Sequence, residues 1–193
     1  LALNKEGVNN QFLTCCCTAS SDILIDAIDL SAMHGIEVKI LPVRISSLEL
    51  LSKDVIQVKL RFPPTSSFVF LEGQFIDIIG LNSIRRSYSI ASISSNNKII
   101  LLIKKVKDGK FSNYWFNEAD TNDLLRIEGP KGTFFLRDRN KPLIFLATGT
   151  GIAPIMAILN GLDSDSSFVQ TKKIILFWGN RVQQDFIWKP NFK

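Results

Sequence analysis

In residues 55–62, VIQVKLRF, apolar and polar side chains alternate from Ile56 onward. Successive strand residues point to opposite faces, so this period predicts a half-buried β-strand. Its apolar face would hold Ile56, Val58, Leu60 and Phe62, and its polar face Gln57, Lys59 and Arg61. Further strand-like runs are separated by turn formers and predict a small antiparallel barrel; they lie at 38–45, 74–79, 87–93, 99–106 and 124–127.

A different pattern begins after residue 138. Residues 142–147 and 173–178 are nearly all apolar, and a helix is expected between them at 152–162. This order predicts one β–α–β unit with parallel strands, and such apolar strands are usually buried on both faces. Because a complete doubly wound sheet needs more strands, we expect the barrel to be followed by a partial parallel α/β domain.

The composition, 46% hydrophobic and 21% charged, is that of a globular protein. The net charge of +5 favours an anionic partner, such as a phosphate-bearing cofactor or an acidic protein. Nucleic acid is a rival partner, but the basic residues are scattered and form no stripe with aromatic residues. The single histidine, His34, has no second metal ligand beside it and is expected to be a surface or capping residue.

The longest apolar stretch, 143–159, contains Gly149, Gly151 and Pro154, so a strand, a loop and a helix fit it better than a membrane span. No signal peptide is recognisable, since polar residues interrupt the first ten positions. These features predict a cytoplasmic protein. The start at Leu1 rather than Met is expected of a processed product or a fragment.

The three cysteines are adjacent, at Cys15, Cys16 and Cys17. Neighbours in an extended segment point to opposite faces, so the three cannot converge on one metal ion. The sequence has no other cysteine for a remote disulfide. Either these are small buried residues, or one belongs to a site whose other ligands this sequence lacks.

A barrel strand carries the first candidate site, RRSYS at 85–89. Period 2 directs Arg86 and Tyr88 to the same face. A guanidinium presents a fork of donors to a pyrophosphate, and a tyrosine presents a flat ring to a planar cofactor whose edge Ser89 would hydrogen-bond. An ordinary edge strand with surface arginines is the alternative.

Two glycine turns are candidates for phosphate binding. DGKFS at 108–112 runs into a predicted short helix, 112–118, where free N–H groups and the helix dipole favour phosphate. TGTGIAP at 148–154 joins a strand to a helix, and its glycines let a dinucleotide approach closely, although the third glycine of the six-position NAD fingerprint is missing. The alternatives are a hairpin turn with Ser112 as helix cap, and a tight strand–helix turn without a ligand.

In this order, the motifs resemble the ferredoxin–NADP reductase family over nearly the whole chain. RSYS at 86–89 is similar to the family's Arg-x-Tyr-Ser flavin motif, and EGQF at 72–75 to the segment before it. GKFS at 109–112 is similar to the Gly-x-x-Ser phosphate motif, and GPKGTF at 129–134 to the loop before the nucleotide domain. The turn at 148–154 is similar to the family's pyridine-nucleotide glycine loop.

The resemblance implies FAD and NAD(P)H as cofactors. Tyr88 would stack on the isoalloxazine and Ser89 would lie near its reactive nitrogen, which makes these two the candidate catalytic residues. Arg86 would bind the pyrophosphate. The full set of implied FAD residues is Arg86, Ser87, Tyr88, Ser89, Lys104, Val106, Gly109, Phe111 and Ser112. The implied nicotinamide-nucleotide residues are Thr148, Gly149, Thr150, Gly151 and Arg181.

The opening segment, with LTC at 13–15, resembles the end of a plant-type 2Fe–2S ferredoxin domain. Cys15 would be the fourth cluster ligand in the intact parent only, because the upstream three-cysteine run is absent. The implied domains are a ferredoxin remnant at 1–36, the FAD-binding barrel at 37–138 and the first part of an NAD(P)-binding domain at 139–193. The family's distal Cys-Gly-x-Pro segment is also absent, so we expect a chain truncated at both ends.

Within the family, LPVRI at 41–45, RRSYSI at 85–90 and SNYWF at 112–116 are most similar to the CDP-6-deoxy-glucoseen reductases of 3,6-dideoxyhexose biosynthesis. This implies an enzyme that passes a hydride from NAD(P)H to FAD, then single electrons to an iron–sulfur centre or protein and a pyridoxamine-phosphate dehydratase. Three alternatives stay open: an oxygenase reductase, a non-catalytic FAD-binding remnant, and a regulatory module of this fold without flavin. The incomplete sheet also predicts association through unpaired strands.

Overall fold

A six-stranded antiparallel sheet forms the first part of the molecule, in a computed structural model that describes residues 18–22, 24, 29–80, 84–94, 97–137, 141–164 and 173–190. The hydrogen-bonded strand order is β4-β3-β6-β1-β2-β5. An isolated bridge between Ile90 and Leu101 joins the two ends of the sheet, which confirms the predicted small barrel. The strands are β1 (Lys39–Ser52), β2 (Val55–Arg61), β3 (Phe75–Ile79), β4 (Arg85–Ser89), β5 (Lys98–Lys104) and β6 (Leu124–Lys131).

Two strands are longer than the sequence predicts. β1 continues to Ser52 because its first half pairs with β6 and its second half with β2, with register shifts between Ile45 and Ser47 and between Leu50 and Ser52. β6 continues to Lys131 because it pairs with β1 on one side and β3 on the other. Hydrogen bonding to a neighbouring strand on each side thus extends β1 and β6 beyond the residues whose local pattern predicts a strand.

The alternation of β2 is as predicted. Val58 and Leu60 are fully buried, whereas Gln57 and Lys59 are half-buried and Arg61 is exposed. The buried face joins apolar side chains of the other strands and Trp115 in one core inside the barrel. Each strand therefore contributes one face to this core, as period 2 requires.

The helix predicted at 112–118 begins earlier and differs in type. It is a four-residue α-helix, α1 (Lys110–Asn113), continued by a π-helical turn, Tyr114–Glu118. The interpretation of Ser112 as the helix cap is wrong, because Gly109 occupies the N-cap position. Ser112 lies buried inside α1, where its Oγ accepts a hydrogen bond from the Val106 amide at 2.7 Å.

The second part of the described chain is the predicted parallel unit. β7 (Leu143–Thr148) pairs in parallel with β8 (Ile174–Gly179), and α2 (Ala153–Asp163) lies between them in sequence. Buried side chains of α2 cover one face of the pair. On the other face Ile144 and Leu146 are 64% and 75% exposed, so the expected burial on both faces is wrong for the described residues.

The parallel unit packs against the outside of the barrel. Ala91 and Leu102 of the barrel share a buried cluster with Phe145 and the apolar residues of α2. Beyond β8, Asp185 accepts a hydrogen bond from Ser52 at 3.1 Å and lies 3.6 Å from the ammonium of Lys104. The turn that follows β8 is thereby tied to the barrel.

Most of the opening segment, including Cys15, Cys16 and Cys17, lies outside the described residues. Its described part contains one short 3₁₀ turn, Ser31–Met33. In the described ranges, no cluster of His, Cys, Asp or Glu residues could hold a metal ion. No helix in those ranges is long and apolar enough to cross a membrane.

Candidate functional site

The open edge of β4 is the centre of the candidate site. β4 pairs with β3 along its whole length, from Arg85 opposite Ile79 to Ser89 opposite Phe75. Within the described residues, backbone contact with β5 begins only after the strand, where Ile90 bridges Leu101 and the Ala91 amide donates to Ile100. The edge of β4 that faces β5 is therefore left without a ladder.

Arg86 and Tyr88 lie on the same face of β4, as the alternation predicts, since they stand opposite Ile78 and Ile76 of β3. The Tyr88 hydroxyl accepts a hydrogen bond from the indole N–H of buried Trp115 at 3.1 Å, and the two rings meet edge to face with centroids 6.3 Å apart. Burial raises the pKa of Tyr88 above its ordinary value, although Trp115 and Arg86 oppose this. The phenol is therefore neutral at physiological pH, with its ring fixed by Trp115.

The Arg86 side chain is exposed. Its Nη1 donates to the carbonyl of Arg85 at 2.8 Å, its only polar contact within the described part of the chain. A guanidinium has five N–H donors, so most of those on Arg86 remain free for an anion.

The opposite face of β4 carries a charged network. Ser87 donates to Asp77 at 2.6 Å, Lys131 contacts both Asp77 and Glu128, and Arg85 also pairs with Glu128. Burial would raise the pKa of Asp77, but hydrogen bonds from Lys131 and Ser87 outweigh it and hold that pKa below its usual value. The hydrogen bond from Lys131 likewise lowers the pKa of Glu128.

Because successive strand residues point to opposite faces, the predicted residues of β4 are divided between its two faces. The Ser87 hydroxyl is engaged with Asp77 on the face opposite Tyr88, so any contact of Ser87 with a cofactor would be through its backbone. Ser89 is half-buried and lies two positions after Ser87, so it is on the same face of β4 as Ser87. Its proposed place near the flavin stays a prediction.

A tight turn at the end of β5 forms the second part of the site. The Gly109 amide donates to the Val106 carbonyl at 3.1 Å, and the Ser112 hydroxyl binds the Val106 amide. A Cβ on Gly109 would lie 3.2 Å from Val106 and from Ser112, so a larger residue would crowd the turn. Because Ser112 accepts in this contact, its hydroxyl proton remains available to a phosphate oxygen.

The remaining predicted residues of this part surround the turn. The Phe111 ring packs so closely on Gly80 that a Cβ there would lie 2.5 Å from it. Val106 is 62% exposed, and the Lys104 ammonium faces Asp185. The side chain of Lys104 is thus engaged with Asp185, so any contact of Lys104 with FAD would be through its backbone.

The glycine loop lies at the carboxyl ends of β7 and β8, where Thr148 is the register partner of Gly179. Gly149 has φ +51°, a conformation that favours glycine, and its carbonyl accepts a hydrogen bond from Trp178 at 2.9 Å. No described atom lies within 4 Å of a Cβ built on Gly149 or Gly151. The two glycines therefore face open space, whereas Thr150 is half-buried; exposed Arg181 lies two residues after the end of β8.

Three residues at or beside these sites were given no role by the sequence reasoning. Gln74 is fully buried, with its side chain bonded to the Leu71 amide and the Gly132 carbonyl, so it ties the loop before β3 to the end of β6. Trp115 fixes Tyr88 from 27 residues away. Both side-chain polar atoms of Asn180 are buried with no hydrogen-bond partner in the described ranges. The position of Asn180, directly after β8 of the parallel unit, is the sequence signal that could have identified it.

Two family models match the chain. The oxidoreductase FAD-binding domain matches residues 42–136, and the oxidoreductase NAD-binding domain matches residues 145–193. The chain belongs to the ferredoxin–NADP reductase family. It thus contains an FAD-binding domain and at least part of an NAD-binding domain.

Curated relatives agree with this family. The chain is 41% identical over 186 residues to the CDP-6-deoxy-L-threo-D-glycero-4-hexulose-3-dehydrase reductase of Yersinia pestis, covering 95% of this chain and 55% of that protein. It is 38% identical to Protein RfbI of Salmonella typhimurium, covering 95% and 54%. The chain spans about half the length of the curated relatives it matches.

Among solved structures, the ferredoxin reductase in carbazole 1,9a-dioxygenase is similar, with a TM-score of 0.70 and 26% identity. The match covers 82% of this chain and 48% of that one. Barrel and parallel unit therefore recur together in a known reductase.

Proposed function

We propose that β4 and the 106–112 turn bind FAD, and that the 148–151 loop with Arg181 binds NAD(P)H. The observation that carries the proposal is the placement of Arg86 and Tyr88 on one face of β4, beside an edge that β5 does not pair. A cation with free donors and a fixed flat ring are the groups needed for a pyrophosphate and a planar ring system.

The residues present fit FAD. Arg86 has no carboxylate partner in the described residues, and the Ser112 hydroxyl keeps a donor for phosphate. Gly149 and Gly151 leave space above the parallel strands, where dinucleotides bind in open α/β sheets. When bound, FAD supplies the chemistry that accepts a hydride from a nicotinamide and delivers electrons one at a time.

The chain's own residues would position the reactants. Trp115 would hold the Tyr88 ring in place, and Arg86 and Ser112 would fix the phosphate end of the cofactor. The contacts of Asp185 with Ser52 and Lys104 would set the parallel unit against the barrel. Positioning is a major protein contribution in such enzymes, because the reactive chemistry belongs to the cofactors.

We further propose that the longer protein passes electrons through FAD to a 2Fe–2S centre and then to a dehydratase of deoxysugar biosynthesis. The name of the Yersinia relative supports the last step. Cys15 as the fourth cluster ligand, the boundaries 1–36, 37–138 and 139–193, and a cytoplasmic location belong to the same proposal. A reductase component of an oxygenase is the second candidate, favoured by the carbazole dioxygenase neighbour.

The test is an absorbance spectrum of the purified chain with FAD, before and after anaerobic NADH and, separately, NADPH. A protein-bound flavin spectrum that bleaches would support the reductase half, and an unresponsive one would indicate an FAD-binding remnant. No bound flavin after addition of FAD would contradict the proposal.

A matched pair of variants tests the proposed role of Arg86. Arg86→Gln removes charge-assisted hydrogen bonds and should weaken FAD binding by about 1.5–3 kcal/mol, roughly 10- to 150-fold. Arg85→Gln removes the same charge one residue away, on the face where Arg85 pairs with Glu128, and should leave FAD affinity within about threefold. Flavin fluorescence titration measures both, and equal losses would contradict the assignment.

A further inference from the structure

A pair of arginines on the barrel surface stands apart from the flavin site. Arg44 of β1 and Arg61 of β2 are register partners, and both side chains are exposed. Like charges directly opposite one another destabilise an antiparallel pair. No carboxylate of the described ranges lies within ion-pair distance of either guanidinium. Among the described residues, the two cations are thus held together without an anion.

Asn122 fixes this pair. Its carbonyl accepts from Nη1 of Arg44 at 2.7 Å, and its Oδ1 accepts from Nη2 of Arg61 at 2.8 Å. Asn122 is itself held in place, because its amide donates to the Ile45 carbonyl at 2.8 Å. Each guanidinium uses one N–H in these contacts and keeps the others for a further acceptor.

One cavity is lined by the two arginines, and a second cavity adjoins it through Phe62 and Pro64, which line both. The first, of 240 Å³, is lined by Arg44, Arg61 and apolar side chains that include Leu124. The second, of 350 Å³, is lined by stacked phenylalanines and has Lys98 at its wall. Rings of Phe62 and Phe68 lie 4.7 Å apart in this wall. No Asp or Glu of the described chain lines either cavity.

We propose that these cavities, the Arg44–Arg61 groove, dock an acidic segment of a partner protein that also carries an aromatic side chain. Carboxylates would pair with the free guanidinium donors, and the aromatic ring would pack in the phenylalanine-lined cavity. Two adjoining cavities favour an extended chain over a single small anion, and the charged side chains that line them, Arg44, Arg61 and Lys98, are all cationic. The proposal is independent of the flavin site, because none of the candidate FAD residues lines the groove.

The test measures binding of a fluorescein-labelled peptide, Asp-Glu-Phe-Asp-Glu, by fluorescence anisotropy at low and at physiological salt. The double variant Arg44→Gln/Arg61→Gln should weaken binding at least tenfold. The control Lys53→Gln/Lys173→Gln removes the same charge at two exposed positions outside the groove and should change affinity less than twofold. Replacing the peptide's phenylalanine with alanine should weaken binding about as much as the arginine variant.

Three results would overturn the proposal: no binding of the peptide to the wild-type chain at millimolar concentration, an equal loss in the lysine control, or no effect of the phenylalanine replacement. Circular dichroism of both double variants establishes that they are folded. Stronger binding of anionic lipid vesicles than of the peptide, with the same dependence on the arginines, would also count against a protein partner.

Discussion

The barrel holds both proposed FAD motifs and the β7–α2–β8 unit holds the proposed nucleotide motif, but the two regions bury their apolar strands differently. In the barrel, Leu60 and Ile78 are fully buried within a core that all six strands share. In the parallel unit, Leu146 and Phe177 remain 75% and 59% exposed on the face opposite α2. The proposed FAD motifs thus lie on a unit with its own core, whereas the proposed nucleotide motif lies on one that the described residues cover on a single face.

This difference in burial predicts which substitutions should destabilise the barrel and which should not. Substitutions inside the barrel should unfold the proposed flavin site, because Tyr88 and Trp115 belong to the same core. Substitutions on the open face of β7–β8 should leave the barrel intact. Matched changes in the two regions test this directly.

The largest contrast is expected from one chemical change made in both regions. Leu60→Ala removes a fully buried side chain and should lower the free energy of unfolding by about 2–5 kcal/mol. Leu146→Ala removes an exposed one and should change it by no more than about 0.5 kcal/mol. Urea unfolding followed by tryptophan fluorescence measures both. Similar losses would show that the open face is covered in solution.

A second contrast comes from glycine-to-alanine changes. Gly73 has φ +105° and a Cβ there would lie 2.0 Å from the Phe134 carbonyl oxygen, so Gly73→Ala should cost about 1–3 kcal/mol or more of stability. Gly151 has no described atom within 4 Å of such a Cβ, so Gly151→Ala should leave stability within about 1 kcal/mol. Thermal unfolding of the two variants measures these changes in stability. Nucleotide titration of Gly151→Ala should show weaker NAD(P)H binding, and unchanged binding would remove this glycine from the site.

Low pH should destabilise the barrel by protonating carboxylates of the charged network on one face of β4. The folded pKa of Asp77 lies below its unfolded value, so its stabilising contribution is present above pH about 4 and is lost as the pH falls through the folded pKa. Between pH 6 and pH 3 the wild type should therefore lose up to about 1 kcal/mol more than Asp77→Asn. Asp163→Asn on α2 is the control and should follow the wild type. If Asp77→Asn shows the same acid dependence as the wild type, the network does not contribute.

The smallest effect on stability is expected from polar residues on the open face. Leu146→Ser with Phe177→Ser should change the free energy of unfolding by no more than about 0.5 kcal/mol, since both side chains are exposed. The pair should nevertheless reduce self-association, because exposed apolar patches favour it. Light scattering over a concentration series measures the mass. A wild type that stays monomeric at every concentration would contradict the expected association.

Much of the architecture follows from local patterns. Period 2 in residues 55–62 predicted which side chains of β2 are buried, and the same rule placed Arg86 and Tyr88 on one face. The change from alternating to continuous apolar runs predicted the switch from barrel to parallel unit. These predictions succeeded because they depend on neighbours in the chain.

Other predictions failed where a distant partner decides the outcome. Ser112 fits a helix cap by its position, yet its hydroxyl turns back to Val106 and Gly109 takes the cap. The apolar runs of β7 and β8 indicate two buried faces, but a packing element is described on only one. A local pattern states that a face is apolar and not what covers it.

The sequence by itself determined where the strands lie, though not how far β1 and β6 extend. It also determined the order of the two units and the motifs that resemble a reductase, because each of these rests on residues within one turn or strand. Only the tertiary structure decided that Trp115 fixes Tyr88. It likewise decided that Asn122 binds both Arg44, 78 positions before it, and Arg61, 61 positions before it. It also decided that β4 keeps an open edge. Such contacts depend on which strands meet and in what register, and that choice is made by the packing of the whole core rather than by any segment alone.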